Sequence, residues 1–292
     1  MKSSSQLWPP TQYQLIDFGN GRKLERFGKV VLDRPCPAAE VKRSVAPAMW
    51  DQANVRIGDD DKSQQVRQAP PVDWCTTFNN VTFELRLTPF GHVGLFPEHA
   101  INWRWLSDRG AATSTPQAVP RLRLLNLFAY TGGASLFLAT QGWEISHVDA
   151  SAPSVAWARR NAQLSGLGSA PIRWIVEDAR RFVARELRRG KSYDAILLDP
   201  PSYGHGPKGK AWQIERDLKP LLEDCALLLS PTAGSLIVTG HTGILNGETI
   251  DLPGIFEQAD RRIALLETGR LTLTDVAARS LDCGWCARAI IL

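Results

Sequence analysis

The spacing of apolar residues changes near residue 120. Before it, hydrophobic and polar positions alternate in short runs. YQLID (13–17) and KLERF (23–27) flank Gly19-Asn20-Gly21, a hairpin turn signal, and TFELRLTPF (82–90) reads as a half-buried strand. GDDDKSQQVRQAPP (58–71) is polar and unpatterned, a surface excursion. EHAINWRWL (98–106) predicts a short helix, and SDRGAATSTPQAVP (107–120), rich in small residues and proline, a linker. Beyond it, LRLLNLF, EISHVDA, IRWIVED, YDAILLD and SLIVTG are nearly continuous apolar runs. Helical stretches such as PSVAWARRNAQLSG and AWQIERDLKPLLEDCALLL separate them. Alternation of this kind predicts a parallel sheet covered on both faces. LTLTDVA and CARAIIL read as a closing hairpin that adds an antiparallel strand. The expected architecture is α/β: a β-rich domain over 1–106, a linker over 107–120, and a mostly parallel, Rossmann-like sheet over 121–292.

Composition narrows the classes. The chain has 292 residues, of which 43% are hydrophobic, enough for a substantial core. A net charge of +4 permits a nucleic-acid partner without requiring one. No stretch has the length and apolarity of a membrane span, and the N-terminal MKSSSQLWPPTQYQ lacks the apolar centre of a secretory signal. Five cysteines, an odd and scattered set, fit reduced thiols and a cytoplasmic location. Cys283-Gly-Trp-Cys286 enters a predicted strand rather than opening a helix, so a structural role is expected for the pair.

In a sheet of this type ligands gather at the carboxyl ends of the strands. The first strand after residue 120 ends in Phe128-Ala129-Tyr130-Thr131-Gly132-Gly133. The next ends at Asp149, the third at Glu177-Asp178, the fourth at Asp199, and the fifth at Gly240-His241-Thr242. Each also has an ordinary use: a glycine pair makes tight turns, and aspartate caps helices. Together they outline a nucleoside site, with Asp149 accepting ribose hydroxyls and Asp178 an adenine amino group. The G-x-G-x-x-G of dinucleotide sites and the phosphate-binding P-loop are both absent. A cofactor without phosphates, S-adenosylmethionine, is therefore expected. Its amino-acid end would lie along Ala129 to Gly132 and its methyl would point toward Asp199-Pro200-Pro201-Ser202.

Methyl transfer from a sulfonium is an in-line displacement, so positioning an acceptor lone pair is the main task. The two prolines remove backbone donors and stiffen the turn, leaving carbonyls and the Asp199 carboxylate to accept from a substrate N–H. Tyr203 is suited to stacking on a base drawn out of its helix. The alternative is that Asp-Pro-Pro only ends a strand.

The residues LNLFAYTGG (125–133), VDAS (148–151) and DPPSY (199–203) resemble those of class I S-adenosylmethionine-dependent methyltransferases related to the bacterial large-subunit ribosomal RNA methyltransferases. GLFPEHAIN (94–102) is similar to a signature that precedes the catalytic domain in that group. DFGNGRKLERFG (17–28) and Arg34-Pro35 resemble the small β-domain of a subgroup. The resemblance covers most of the chain. It implies cofactor contacts at Tyr130, Thr131, Gly132, Asp149, Asp178 and Asp199, with Phe96 and Glu98 lining the site; His99 and Ala100 depart from the signature. The cytosine-C5 relatives carry a catalytic cysteine after the fifth strand, where this chain has Thr239-Gly-His241-Thr-Gly243. Cys225 lies in an apolar helical stretch and Cys36 between prolines. C5 chemistry is therefore disfavoured against a nitrogen acceptor, which needs no thiolate. His241 would orient that nitrogen or take its proton, unless it only bonds a nearby loop. In the motif of amino-directed methyltransferases an aromatic residue stands where Ser202 is found, and Tyr203 comes one later.

The basic stretch RRFVARELRRGK (180–191) reads as a solvated helix face running away from Asp199. The loop from Gly204 to Lys210 begins beside the chemistry, and Lys208 and Lys210 are placed to reach phosphates. The expected protein is a methyltransferase acting on ribosomal or other structured RNA. The alternatives are an enzyme of this fold acting on a small molecule or protein side chain, and a non-catalytic RNA-binding protein; a dehydrogenase is more distant. Oligomeric state is not legible from sequence.

Overall fold

A computed structural model of the protein describes residues 4–58, 64–88, 91–113, 121–204, 212–232, 234–240 and 250–292. It divides into two compact units: Met1–Ile101 with Arg160–Ser165 and Leu271–Cys283, and Asn102–Arg159 with Gly166–Arg270 and Gly284–Leu292. Sequence order alone does not reveal that residues 160–165 and 271–283 group with the N-terminal strands.

In the first unit, β1 (Tyr13–Gly19), β2 (Arg22–Phe27), β3 (Val30–Pro35), β4 (Val55–Ile57) and β5 (Gln64–Val66) form one sheet in sequential order, with α1 (Pro47–Trp50) between β3 and β4. The predicted hairpin is present. Asn20 and Gly21 both have positive φ, 54° and 73°, as a tight turn between right-twisted strands requires. Gln64–Val66, read as part of a surface excursion, pairs with β4 as a fully exposed edge strand. β6 (Cys75–Phe78) and β7 (Val81–Glu84) form a separate hairpin. β7 is shorter than the predicted 82–90 because its partner ends opposite Glu84, at Cys75.

Asp17 fastens this unit. It is fully buried and accepts from Ser44 N (3.1 Å), Ser44 Oγ (2.8 Å), Val45 N (3.2 Å) and Trp50 Nε1 (2.8 Å), and it pairs with Arg279. Burial alone would push its carboxyl up; the donors from Ser44, Trp50 and Val45 hold it below its ordinary value.

In the second unit the chain continues through α2 (Ala100–Thr113), β8 (Arg123–Leu127), α3 (Gly133–Thr140), β9 (Glu144–Asp149), α4 (Ala152–Leu164), β10 (Ile172–Val176), α5 (Ala179–Arg188) and β11 (Ala195–Leu198). It then passes through β12 (Tyr203–Gly204), β13 (Trp212–Gln213), α6 (Ile214–Leu228), β14 (Gly234–Gly240), α7 (Leu252–Gln258), β15 (Ile263–Thr274) and β16 (Ser280–Ile291). Elements that cross the boundary belong to both units.

The seven-stranded sheet runs β10-β9-β8-β11-β14-β16-β15, parallel from β10 to β14 and antiparallel where β16 meets β14. The mostly parallel α/β sheet and its antiparallel late strand follow the sequence expectation. Leu125, Leu127, Ile196, Leu198 and Val238 line one face and pack on Phe182 of α5, Leu222 of α6 and Phe256 of α7. Strand order reverses between β8 and β11, which opens a crevice beyond their carboxyl ends.

Residues 107–113, expected in the linker, continue α2 instead. Gly110 makes this possible: a Cβ there would fall 2.8 Å from the Trp143 ring, so the missing side chain lets the helix lie on it. The rest of that linker, 114–120, lies outside the described residues.

Replacing Asp17 with alanine strips Trp50 and Arg279 of their shared acceptor and is expected to lower stability by about 3 kcal/mol. Urea unfolding measures it, and a loss below about 1 kcal/mol would show that Asp17 is not the fastening.

Candidate functional site

The turn after β8 has an unusual backbone. Phe128 (φ 55°) and Tyr130 (φ 49°) occupy the left-handed region without being glycine, and Gly132 follows at 92°. Each non-glycine residue held there costs about 1–3 kcal/mol, so the surroundings must impose the shape. Strand β9 does so. Val148 O accepts from Ala129 N (3.1 Å) and Asp149 Oδ2 from Tyr130 N (2.8 Å). The other Asp149 oxygen accepts from Ser151 N at 2.8 Å. Burial raises the Asp149 pKa, and the Ser151 and Tyr130 amides only partly oppose it. Asp149 is thus not a helix cap: Ser151 takes that place on α4, its carbonyl accepting from Val155 N and its hydroxyl from Ser154 N.

Helix α3 starts at this turn with Gly132 at its N-cap and no side-chain acceptor, so its first N–H groups point out of the helix end as donors for an anion. Both glycines are also required by packing. A Cβ on Gly133 would sit 2.4 Å from the Trp103 ring, and one on Gly132 would lie 3.2 Å from Ala158 Cβ. Ala129 and Thr131 are buried, while Phe128, Tyr130 and Gly133 are half-buried.

Next to the turn lies a buried polar trio not foreseen from sequence, Asn126, Ser135 and His147. Asn126 on β8 is the register partner of His147 on β9, and Ser135 of α3 bridges them. Asn126 Nδ2 donates to Ser135 Oγ (2.9 Å), and the same hydroxyl shares a hydrogen bond with His147 Nδ1 (3.0 Å). Burial, aided by the Arg159 charge and opposed by the Tyr130 backbone, lowers the His147 pKa to about 3.

Asp199 follows the last paired residue of β11, Leu198, which is level with Leu127 of β8 and Val238 of β14. Thr239 Oγ1 donates to Asp199 Oδ1 at 2.5 Å and fixes the carboxylate's rotation. Pro200 is buried, whereas Ser202 and Tyr203 are exposed, Tyr203 by 67%. The expectation that carbonyls of this turn face a substrate is corrected in part. Pro201 O already accepts from Trp212 Nε1 (2.6 Å), and Ser202 O from Ile214 N (3.1 Å). The segment after the prolines is a β-hairpin in which Tyr203 pairs with Gln213 and Gly204 with Trp212. Trp212 also packs on Phe128, 4.9 Å between ring centroids, and ties the hairpin to the turn after β8.

Asp178 N-caps α5 through Arg181 N (3.2 Å) and pairs with Arg180 (3.2 Å), so its ordinary use is realised. Glu177 N donates to Asp149 O at 3.0 Å and joins the ends of β10 and β9. The structure therefore gathers Phe128 to Gly133, Asp149, Asp178, Asp199 and Pro200 to Tyr203 along one edge of one sheet. Phe96 belongs to the first unit, where its ring meets His92 edge-on at 5.2 Å and His99 at 6.3 Å. Lys208, Lys210 and His241 lie outside the described residues.

None of the five cysteines is in a disulfide, and burial raises the pKa of every one. Cys286 is the register partner of Thr239, yet it is fully buried and donates to Asn102 Oδ1 at 3.4 Å. Among the described residues no His, Cys, Asp and Glu side chains cluster as metal ligands, and no helix is long and apolar enough to cross a membrane.

A sheet with this strand order, an uncapped helix behind its first strand and acids at successive strand ends defines a nucleoside-binding α/β protein. Residues 51–252 match the S-adenosylmethionine-dependent methyltransferase family, and the chain belongs to it. It is 36% identical to a SAM-dependent methyltransferase from Agrobacterium tumefaciens, covering 96% of this chain and 90% of that one with a TM-score of 0.86. A methyltransferase-like structure complexed with SAH shares the fold at 16% identity and a TM-score of 0.70, over 97% of this chain and 75% of the other. Ribosomal RNA large subunit methyltransferase K/L of Shewanella baltica is 31% identical over 168 residues, 57% of this chain and 22% of that protein. For methyltransferase K of Neisseria meningitidis the figures are 29% over 160 residues, 54% of this chain and 43% of that protein. The chain thus spans less than half the length of these curated relatives.

The buried imidazole has a consequence for acid stability. An unfolded histidine protonates near pH 6.5, but His147 stays neutral in the folded chain down to about pH 3. Between those values the unfolded state binds the extra proton, so this group's contribution is intact above pH 6.5 and is lost as pH falls, by up to about 1.4 kcal/mol per pH unit. His147→Gln is expected to flatten the fall in stability between pH 6.5 and 4.5, measured by urea unfolding. Equal slopes in the two proteins would contradict it.

Proposed function

We propose that the protein transfers a methyl group from S-adenosylmethionine to a nitrogen of a base in ribosomal or other structured RNA. The observation that carries this reading is the convergence, at the strand-order reversal between β8 and β11, of the uncapped start of α3, Asp149 and the Asp199-Pro-Pro-Ser202 turn. The donor set fits the cofactor. The free N–H groups of α3 suit its carboxylate, with Phe128 to Gly133 wrapped around that end. Asp149 faces ribose hydroxyls and Asp178 the adenine amino group. Bound there, the cofactor supplies a methyl carried on a sulfonium and open to in-line displacement.

The chain's own residues then place the acceptor. Asp199, fixed by Thr239, accepts the N–H of the acceptor nitrogen and aims its lone pair into the crevice. Pro200 keeps the turn stiff. Ser202 offers a second polar contact, and Tyr203 presents an exposed ring on which a base drawn from its helix can stack. His241 is assigned to orient the nitrogen or take its proton, and Lys208 and Lys210 to reach phosphates. Raised thiol pKa values throughout support a nitrogen acceptor over cytosine C5, which requires a thiolate. RNA as the substrate class is carried over from the large-subunit ribosomal RNA methyltransferases to which the chain is similar.

Labelled S-adenosylmethionine, incubated with the protein and with RNA, protein and metabolite fractions from cells lacking the gene, is expected to label RNA. Asp199→Ala is expected to lower that turnover at least about 100-fold. Label in protein or metabolites with none in RNA would overturn the substrate, and full activity in Asp199→Ala would overturn the placement of the acceptor.

A further inference from the structure

Arg180 departs from the sequence picture of α5 as a solvated basic face. Arg181, Arg188 and Arg189 are exposed, as expected. The Arg180 guanidinium instead spans two helices. Its Nη2 lies 3.2 Å from Asp178 Oδ2 at the start of α5, and its Nη1 lies 2.9 Å from Asp217 Oδ1 in the first turn of α6. It also sits 5.8 Å from the centre of the Trp212 ring.

Asp217 is built into the hairpin. Its Oδ2 accepts from Gln213 N at 2.9 Å, and Gln213 is the hairpin residue opposite Tyr203. The bond from Arg216, burial that opposes it, the Gln213 amide and the Arg180 charge leave its carboxyl at about pKa 2, so it is ionised at any working pH. The hairpin itself has two residues in each strand, too few to hold its shape alone. What fixes it is the first turn of α6 together with Trp212, and Arg180 touches both.

We infer that Arg180 is a positioning residue for the acceptor loop: by clamping Asp178 to Asp217 across the first turns of α5 and α6, it holds the Pro200–Tyr203 segment in register with the cofactor crevice. This rests on the reading of Asp199 and Tyr203 as the acceptor-placing residues. A planar guanidinium is required because two carboxylates in different directions must be met at once, which the point charge of a lysine does less well. With Arg180 removed, Asp217 keeps Gln213 N and Arg216 and Asp178 keeps Arg181 N, so neither carboxylate is left without a donor.

The experiment compares wild type with Arg180→Ala, Arg180→Lys and Arg181→Ala, using the RNA fraction labelled by the wild type. The quantities are kcat, KM for RNA and its dependence on salt, Kd for S-adenosylhomocysteine by calorimetry, and the unfolding midpoint. Arg180→Ala is expected to lower kcat at least about tenfold and to leave the S-adenosylhomocysteine Kd within about threefold. Its salt dependence and unfolding midpoint should match wild type. Arg180→Lys is expected to fall between the two, and Arg181→Ala to behave as wild type.

A shallower salt dependence in Arg180→Ala, or an equal loss in Arg181→Ala, would assign the arginine to RNA phosphates and overturn the inference. A fall in kcat that tracks a lowered unfolding midpoint would make the role merely structural and also overturn it. If the wild type labels another acceptor class, the substrate reading fails, and the same kcat comparison on that acceptor still decides the role of Arg180.

Discussion

One carboxylate shapes the candidate site. Asp149, at the end of β9, accepts Tyr130 N with one oxygen and Ser151 N with the other. The first bond holds a turn whose Phe128 and Tyr130 stand in the left-handed backbone region, and the second fixes the chain as it enters α4. Without such a hold the turn would relax toward ordinary backbone, releasing strain of about 1–3 kcal/mol per residue and moving the start of α3 with it. The open N–H groups of α3 and the crevice beside β11 depend on that geometry. The same carboxylate is proposed to meet the ribose. Its pKa, raised by burial, describes a group kept from water but already given backbone donors.

Around that point the second unit distributes its fastenings by strand. The Asn126–Ser135–His147 trio ties β8 and β9 to the body of α3. Thr239 reaches from β14 to set Asp199, and Trp212 brings the hairpin back onto Phe128. The proposed cofactor and acceptor sides are thus linked through one set of contacts, as an in-line transfer demands. The first unit has a comparable centre in Asp17, which draws Ser44, Trp50 and Arg279 to one buried point.

Much of the architecture was legible because its causes are local. Continuous apolar runs, three of them followed by an acid, marked the parallel strands, and Asn20-Gly21 marked the hairpin. What was hidden depends on partners distant in sequence. Nothing near Arg180 shows that Asp217 will stand beside it, nor does the DPPSY segment announce that Trp212 and Ile214 will occupy its carbonyls. Gly110 looks like loop until Trp143 is seen lying against the helix, and nothing near the paired glycines shows that Trp103 and Ala158 will pack against them. His147, in an apolar strand, gave no signal apart from its neighbours across the sheet.

Calorimetric titration of S-adenosylhomocysteine into the wild type and Asp149→Ala, both checked for an unchanged fold by circular dichroism, probes the site at its base. Tight binding by the wild type and a loss of about tenfold or more in the variant are predicted, since charge-assisted bonds to ligand and turn disappear together. Equal affinity in the two proteins, or no binding by either, would contradict the view that this carboxylate builds the site.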